Sequence, residues 1–142
     1  MERRDFLRNA CLVGVAGLAG CAKTYRYTSA KLPLNEGKDG FLAKVEDLKD
    51  GASTLVYTRT GPVLLVKWQG DVRAFESVCP HTMCELNDGE REQPIVNGEV
   101  RCWIHDSYFK PKDGCYISGP ANPNGKLPEF KIRIEAGKIF RA

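Results

Sequence analysis

Two short stretches concentrate the side chains of this sequence that can do chemistry. Cys79-Pro80-His81-Thr82-Met83-Cys84 puts two thiols and an imidazole within six residues, and Cys102-Trp103-Ile104-His105 repeats a Cys/His pairing about twenty residues on. The chain has six cysteines but only two histidines, and each histidine stands two or three residues after a cysteine. Random scatter would rarely place both of them this way. Thiolate and imidazole are both metal ligands, and a metal site normally needs four, so each pair completes the other. The set is Cys79, His81, Cys102 and His105, two sulfurs and two nitrogens on two turns. Zinc accepts such a set, but its usual fingers pair Cys with Cys and His with His. A mixed pair on each of two loops suits a [2Fe–2S] cluster in which imidazole replaces thiolate on one iron, each loop giving one ligand to each iron. Neutral imidazoles leave less negative charge around the cluster, so adding an electron becomes easier. With both histidines committed, no Ser–His–Asp triad and no Cys–His nucleophile pair can be assembled, and catalysis would need another subunit.

These loops need a frame to hold them. From Phe41 onward, short β-type segments alternate with turns. FLAKV, TLVYTR, PVLLVKW, DVRAFES, PIVNGEVRC, FKIRIE and KIFRA are rich in Val, Ile, Phe, Tyr and Thr. Gly-Pro, Gln-Gly-Asp, Asn-Gly and Ala-Gly-Lys punctuate them. Phe130, Ile132 and Ile134 alternate with Lys131, Arg133 and Glu135, the period of a strand with one face buried. EDLKDG could hold a helical turn, but no segment shows a long 3.6-residue period. The expected fold is all-β, a small antiparallel sandwich or barrel carrying a two-loop cluster-binding subdomain. Trp68 and Trp103 read as packing residues, Met83 as an apolar shield and Pro120 as a stiffener of its loop. Glu90 to Gln93 (EREQ) reads as a solvated loop.

Length and charge narrow the function. The 142 residues are enough for one domain and not for two. Of the net charge of +3, about +2 remains after the first twenty residues, and no basic tract marks a nucleic-acid footprint. The N-terminus, MERRDFLRNACLVGVAGLAGCAK, has a charged region, a short apolar run from Cys11 to Gly20 and a small-residue site, the pattern of an export signal. As a helix that run spans about 15 Å, half of a roughly 30 Å hydrocarbon core, so a stable transmembrane anchor is not expected. RRDFLRN resembles a bacterial twin-arginine signal, a pathway that carries folded, cofactor-loaded proteins. It departs at Glu2, where that pattern usually has Ser or Thr. Leu18-Ala19-Gly20-Cys21 resembles a lipoprotein box, which implies a diacylglycerol thioether on Cys21 as the first mature residue. The plainer alternative is a cleaved signal with a cysteine at the junction. Residues 1–20 are therefore expected to be an export signal, 21–40 a lipidated tether and 41–142 the folded domain.

The two loops together resemble the Rieske iron–sulfur family. CPHTMCEL is similar to its Cys-x-His loop and CWIHDSYF to its Cys-x-x-His loop. GPANPNGKLPEFKI resembles the proline-rich segment that covers the cluster and the strand after it, and VLLVKWQGDVRAFESVCPH the hairpin that leads into the first loop. The resemblance runs from about Thr54 to the C-terminus. It implies one [2Fe–2S] cluster, with Cys79 and Cys102 on one iron and His81 and His105 on the other. High-potential members place a Ser hydroxyl two residues after the second histidine and a Tyr hydroxyl four after it. Ser107 matches the first and is expected to bond to a cluster sulfur, while Phe109 has no donor. Members of the cytochrome bc type carry a disulfide between the loops. Cys84 stands at its first position, but the second is Ile104. A Cys84–Cys115 bridge is not expected, because the DG turn before Cys115 places it in a hairpin leaving the loop, and a disulfide needs Cα atoms within about 7 Å.

The resulting expectation is an exported, lipid-anchored one-electron carrier at the outer face of a bacterial membrane or in the periplasm. Its partner would be a redox protein or a quinol-oxidising complex. Its rivals are a Rieske subunit of a cytochrome bc-like or arsenite-oxidase-like complex, a ferredoxin component of a ring-hydroxylating dioxygenase, and a structural zinc module. The export signal argues against the ferredoxin. The missing disulfide and missing transmembrane anchor weaken the cytochrome bc reading.

Overall fold

The computed structural model describes residues 34–82, 85–86 and 92–142. The export signal, Cys21 and most of the expected tether lie outside these residues, as do Met83 and Cys84. Among the described residues, ten short strands form three antiparallel sheets. The central sheet has the order β4-β3-β2-β5, built from Ala52–Thr58 (β2), Gly61–Trp68 (β3), Asp71–Glu76 (β4) and Glu92–Pro94 (β5). A second sheet, β1-β10-β9, joins Phe41–Lys44 (β1) to the terminal hairpin Ile132–Glu135 (β9) and Lys138–Arg141 (β10). The third, β6-β7-β8, is made of Val100–Arg101 (β6), Tyr108–Phe109 (β7) and Tyr116–Ser118 (β8). The helical turn expected in EDLKDG is a single 3-10 turn, Val45–Asp47.

Strand β3 is apolar without alternation because both of its faces are covered. Leu64 and Val66 enter one core with Phe75, Cys79, Leu86, Cys102, Phe109 and Leu127. Val63 and Leu65 enter a second core with Leu42, Val56, Phe130 and Ile139. The first core is thus shared with the two metal loops, so the loops rest on the same strand that organises the barrel. The hairpins close where the sequence punctuates them. Gln69-Gly70, Asn97-Gly98 and Ala136-Gly137 all have positive φ, the backbone of two-residue turns whose twist matches that of the flanking strands. Gly98 also lies against the Trp68 ring, where a Cβ would stand 3.3 Å from it, and Trp68 packs on the first core as expected.

Three expectations need correction. Ile134 is 48% exposed, so the buried face of the last hairpin ends at Phe130 and Ile132, and alternation continues past the edge of what covers it. Glu92 and Gln93, read as part of a solvated loop, form an edge strand paired with Thr54 and Ser53. The last residues of the expected tether are tied to the domain. Asn35 and Glu36 donate their N–H groups to the Tyr57 carbonyl, and Asn35 Oδ1 accepts the Tyr57 N–H at 3.1 Å. Glu36 is buried and takes Arg141 on both carboxylate oxygens, at 2.8 and 2.9 Å, with the Arg59 N–H as a third donor at 2.8 Å.

Candidate metal centre

The first loop leaves β4 through Ser77 and is pinched at its base. Val78 and Glu85 form an antiparallel bridge, and the Leu86 N–H donates to the Ser77 carbonyl. The second loop is closed by the β6–β7 hairpin, in which Arg101 faces Tyr108. Within it the Cys102 N–H donates to the Ser107 carbonyl at 2.7 Å, and the Asp106 N–H returns to the Cys102 carbonyl at 3.0 Å. Asp106 has a φ of 55°, a conformation Asp tolerates better than most residues, and its carboxylate holds Arg101. Among the described residues a backbone bond joins the loops, from the Trp103 N–H to the Leu86 carbonyl at 2.8 Å.

This frame brings the four expected ligands together in two pairs. The Cys79 and Cys102 side chains are fully buried and hydrogen-bonded to each other. His81 and His105 lie toward solvent with ring centroids 5.0 Å apart and planes at 89°. Thr82 Oγ1 lies 3.4 Å from His105 Nδ1. Each sulfur also receives backbone donors from its own turn. The N–H groups of His81 and Thr82 point at Cys79, and those of His105 and Ile104 at Cys102. The shared hydrogen bond and burial push the Cys79 thiol above the ordinary thiol range. The same bond, helped by the two amide donors, pulls Cys102 below it. Amide donors aimed at both sulfurs would stabilise them as thiolates once a metal takes the place of the hydrogen bond between them.

The donor set fits an iron–sulfur cluster. Among the described residues no group of three or more His, Cys, Asp or Glu closes around a single ion. The pairs are like with like, sulfur inside and nitrogen outside, and a two-iron cluster asks for two donors on each metal. Cys79 and Cys102 could hold a buried iron, and His81 and His105 one at the surface. Ser107 is fully buried beside them, and its Oγ accepts the Ala121 N–H at 3.0 Å. Half-exposed Tyr108 separates it from fully buried Phe109, so the two inward residues of this strand are a hydroxyl and a bare ring.

Two features depart from the reading of the sequence or escape it. Trp103, expected to pack, is 50% exposed beside the histidines, with the Arg101 guanidinium 5.9 Å from its ring centroid. Its backbone N–H bonds the Leu86 carbonyl, while the indole faces outward. Gly119 opens the stretch that resembles a cover segment, but its own part was not singled out. Its φ is +99°, and a Cβ there would stand 2.3 Å from the Asp106 carbonyl oxygen. The segment expected to cover the cluster lies directly on the second loop. Cys115 is a free, half-buried thiol whose nearest acid, Asp113, raises it above the ordinary thiol range. The other half of the bridge discussed for it, Cys84, lies outside the described residues.

Comparison with known proteins agrees with this geometry. The profile of the Rieske [2Fe-2S] domain matches residues 39–131. The ferredoxin component of an alkene monooxygenase system from Xanthobacter autotrophicus is 32% identical over 96 residues, 68% of this chain and 74% of that one. Among solved structures, a ferredoxin of Sphingomonas yanoikuyae B1 superposes with a TM-score of 0.58 at 22% identity, over 71% of this chain and 94% of the other. The cyanobacterial plasma membrane Rieske protein from Synechocystis PCC 6803 gives a TM-score of 0.51 at 25% identity, over 63% and 85%.

Proposed function

The chain belongs to the Rieske [2Fe-2S] family, and from that premise we propose that it works as an exported, lipid-tethered carrier of single electrons. It is an electron-transfer protein with one Rieske-type cluster, and no catalyst by itself. When bound, the cluster takes up or gives up one electron without bonding to a substrate. The residues that hold it are Cys79, Cys102, His81 and His105. The observation that carries this reading is their layering, two thiols fully buried beneath two imidazoles that reach solvent.

The protein's own groups have three tasks. The amide donors of His81, Thr82, Ile104 and His105 stabilise negative charge on the two sulfurs. Reduction increases that charge, so these donors favour the reduced state and raise the potential. The apolar core around the cysteines, with Leu64, Phe109 and Leu127, keeps water from the sulfur side. The histidine edge, flanked by exposed Trp103, is the route by which a partner comes within tunnelling distance. The export and anchoring rest on RRDFLRN and on the LAGC box ending at Cys21.

Purified protein should be coloured, with two irons and two sulfides per chain, and Cys79→Ser or His105→Ala should abolish the colour. A colourless protein with one zinc would sink the reading. Cys21→Ser should release the mature protein from membranes, and unchanged membrane association would exclude the lipid anchor. The similarity to the alkene monooxygenase ferredoxin favours a second reading, a carrier that feeds an oxygenase. Wild-type protein found only in the cytosolic fraction would favour it over the exported carrier.

A further inference from the structure

We infer that the cover segment Gly119–Ala121 helps to set the potential of the cluster by aiming the Ser107 hydroxyl, with Gly119 as the positioning residue. The inference rests on the reading above, in which Ser107 lies beside the cluster and donates to it.

A serine hydroxyl has one proton and two lone pairs, and it rotates among staggered positions unless something selects one. Ser107 Oγ accepts the Ala121 N–H at 3.0 Å inside the protein, where the serine is fully buried. That bond uses a lone pair and fixes the side from which the oxygen is approached. The proton must then point away from Ala121. The Cys102 N–H donates to the Ser107 carbonyl, so the serine belongs to the turn that carries this ligand. A cluster held by Cys102 would offer sulfur as an acceptor for that proton. Without Ala121 the hydroxyl could turn its proton elsewhere and leave the cluster with one donor fewer.

The Ala121 N–H reaches Ser107 only because the segment before it lies flat on the loop. At Gly119 a Cβ would stand 2.3 Å from the Asp106 oxygen, 2.6 Å from Ser107 Cα and 3.0 Å from the Asp106 carbonyl carbon. All three are backbone atoms that cannot swing aside, and the φ of +99° is one that L side chains rarely adopt. Any side chain at this position lifts the cover. From the other side the Tyr116 hydroxyl donates to the Gly119 carbonyl at 2.7 Å and holds the segment down. Gly119 touches no cluster atom in this account. It acts through Ala121 and Ser107.

Voltammetry on the cluster-loaded protein tests the chain of contacts. Ser107→Ala and Gly119→Ala should each shift the reduction equilibrium several-fold against the reduced state, a tenfold shift being about 59 mV for one electron. The double variant should lie no lower than Ser107→Ala alone, because both changes remove the same donor. A merely structural role for Gly119 would lower stability and leave the potential of the intact cluster unmoved, which overturns the inference. Additive shifts in the double variant overturn it as well. An unmoved potential in Ser107→Ala instead refutes the Ser107 reading on which it rests. Should Gly119→Ala not retain its cluster, Tyr116→Phe decides. It removes only the exposed hydroxyl that holds Gly119, and it should lower the potential in the same direction. A wild-type potential there overturns the proposal.

Discussion

Glu36 offers a test of the frame that is independent of the metal. Its carboxylate is buried at the point where the chain enters the domain, and it binds the Arg141 guanidinium in the last strand through two bonds of 2.8 and 2.9 Å. Those bonds, with the Arg59 N–H, hold its carboxyl down to about 2 from an ordinary 4.5, against the opposing effect of burial. That difference corresponds to about 3 kcal/mol of differential stabilisation. The folded value is depressed, so the contribution is fully present above the unfolded value. It is lost as the pH falls from about 4.5 toward about 2. Glu36→Gln should therefore cost about 2–3 kcal/mol at pH 7, toward the low end for a broken buried pair because the Arg141 side chain is 29% exposed and keeps some water. Below pH 3 most of that difference should vanish. Denaturant titrations of both chains between pH 7 and 2.5 read it directly, and loss of cluster in acid is common to both and cancels in the difference. A gap between the two chains that stays constant over the whole range would refute the depressed carboxyl and the clamp with it.

Two further outcomes follow from named contacts. Ser107→Ala should lower the midpoint potential by roughly 40–90 mV, the equivalent of about 1–2 kcal/mol of a charge-assisted hydrogen bond felt differently by the two redox states, and voltammetry with the cluster intact measures it. Gly114→Ala should cost about 2–4 kcal/mol in thermal or chemical unfolding. Its φ is +74°, and a Cβ would meet Phe75 Cε1 at 2.9 Å and Leu127 Cβ at 3.0 Å in the core beneath the loops. Wild-type stability in this variant would mean that the Phe75–Leu127 contact is looser than described.

The hairpins were readable because their turns demand residue types that sequence displays. Gln-Gly, Asn-Gly and Ala-Gly stand at the three two-residue turns with positive φ, and the strands between them follow. Long-range contacts were not readable. Nothing in NEGKDG says that Asn35 and Glu36 reach Tyr57 and Arg141, because the partner of Glu36 lies 105 residues away. Ile134 obeys the same alternation as Ile132, yet alternation reports only which residues share a face and cannot say where the covering layer stops. Trp103 looked like core because large aromatics usually are. It stands half exposed on a loop whose backbone bonds Leu86, an interaction between loops that no spacing encodes.

That Cys79, His81, Cys102 and His105 come together was legible for a more specific reason, which is that the spacing itself performs part of the work. In a tight turn that begins at a cysteine, the amide groups two and three residues on point back at its sulfur. That is what His81 and Thr82 do for Cys79, and Ile104 and His105 for Cys102. Of the residues that send an N–H inward to sulfur, His81, Thr82 and His105 carry their side chains toward solvent, while Ile104 packs against the core. Cys-x-His and Cys-x-x-His therefore bury a thiolate, surround it with donors and present an imidazole to solvent in one local fold. The barrel has only to set two such turns face to face. It does so through the Trp103–Leu86 bond between the loops and through the shared core on β3. On this account the depth of each donor is set by the turns and their mutual placement by the frame. Lengthening the second turn by one residue between Cys102 and His105 should then remove the imidazole and one amide donor together. Such an insertion should cost the cluster as completely as His105→Ala, while the far-UV circular dichroism of the barrel remains that of the parent. Retention of the cluster in the insertion variant would show that the frame, and not the turn, places the histidine.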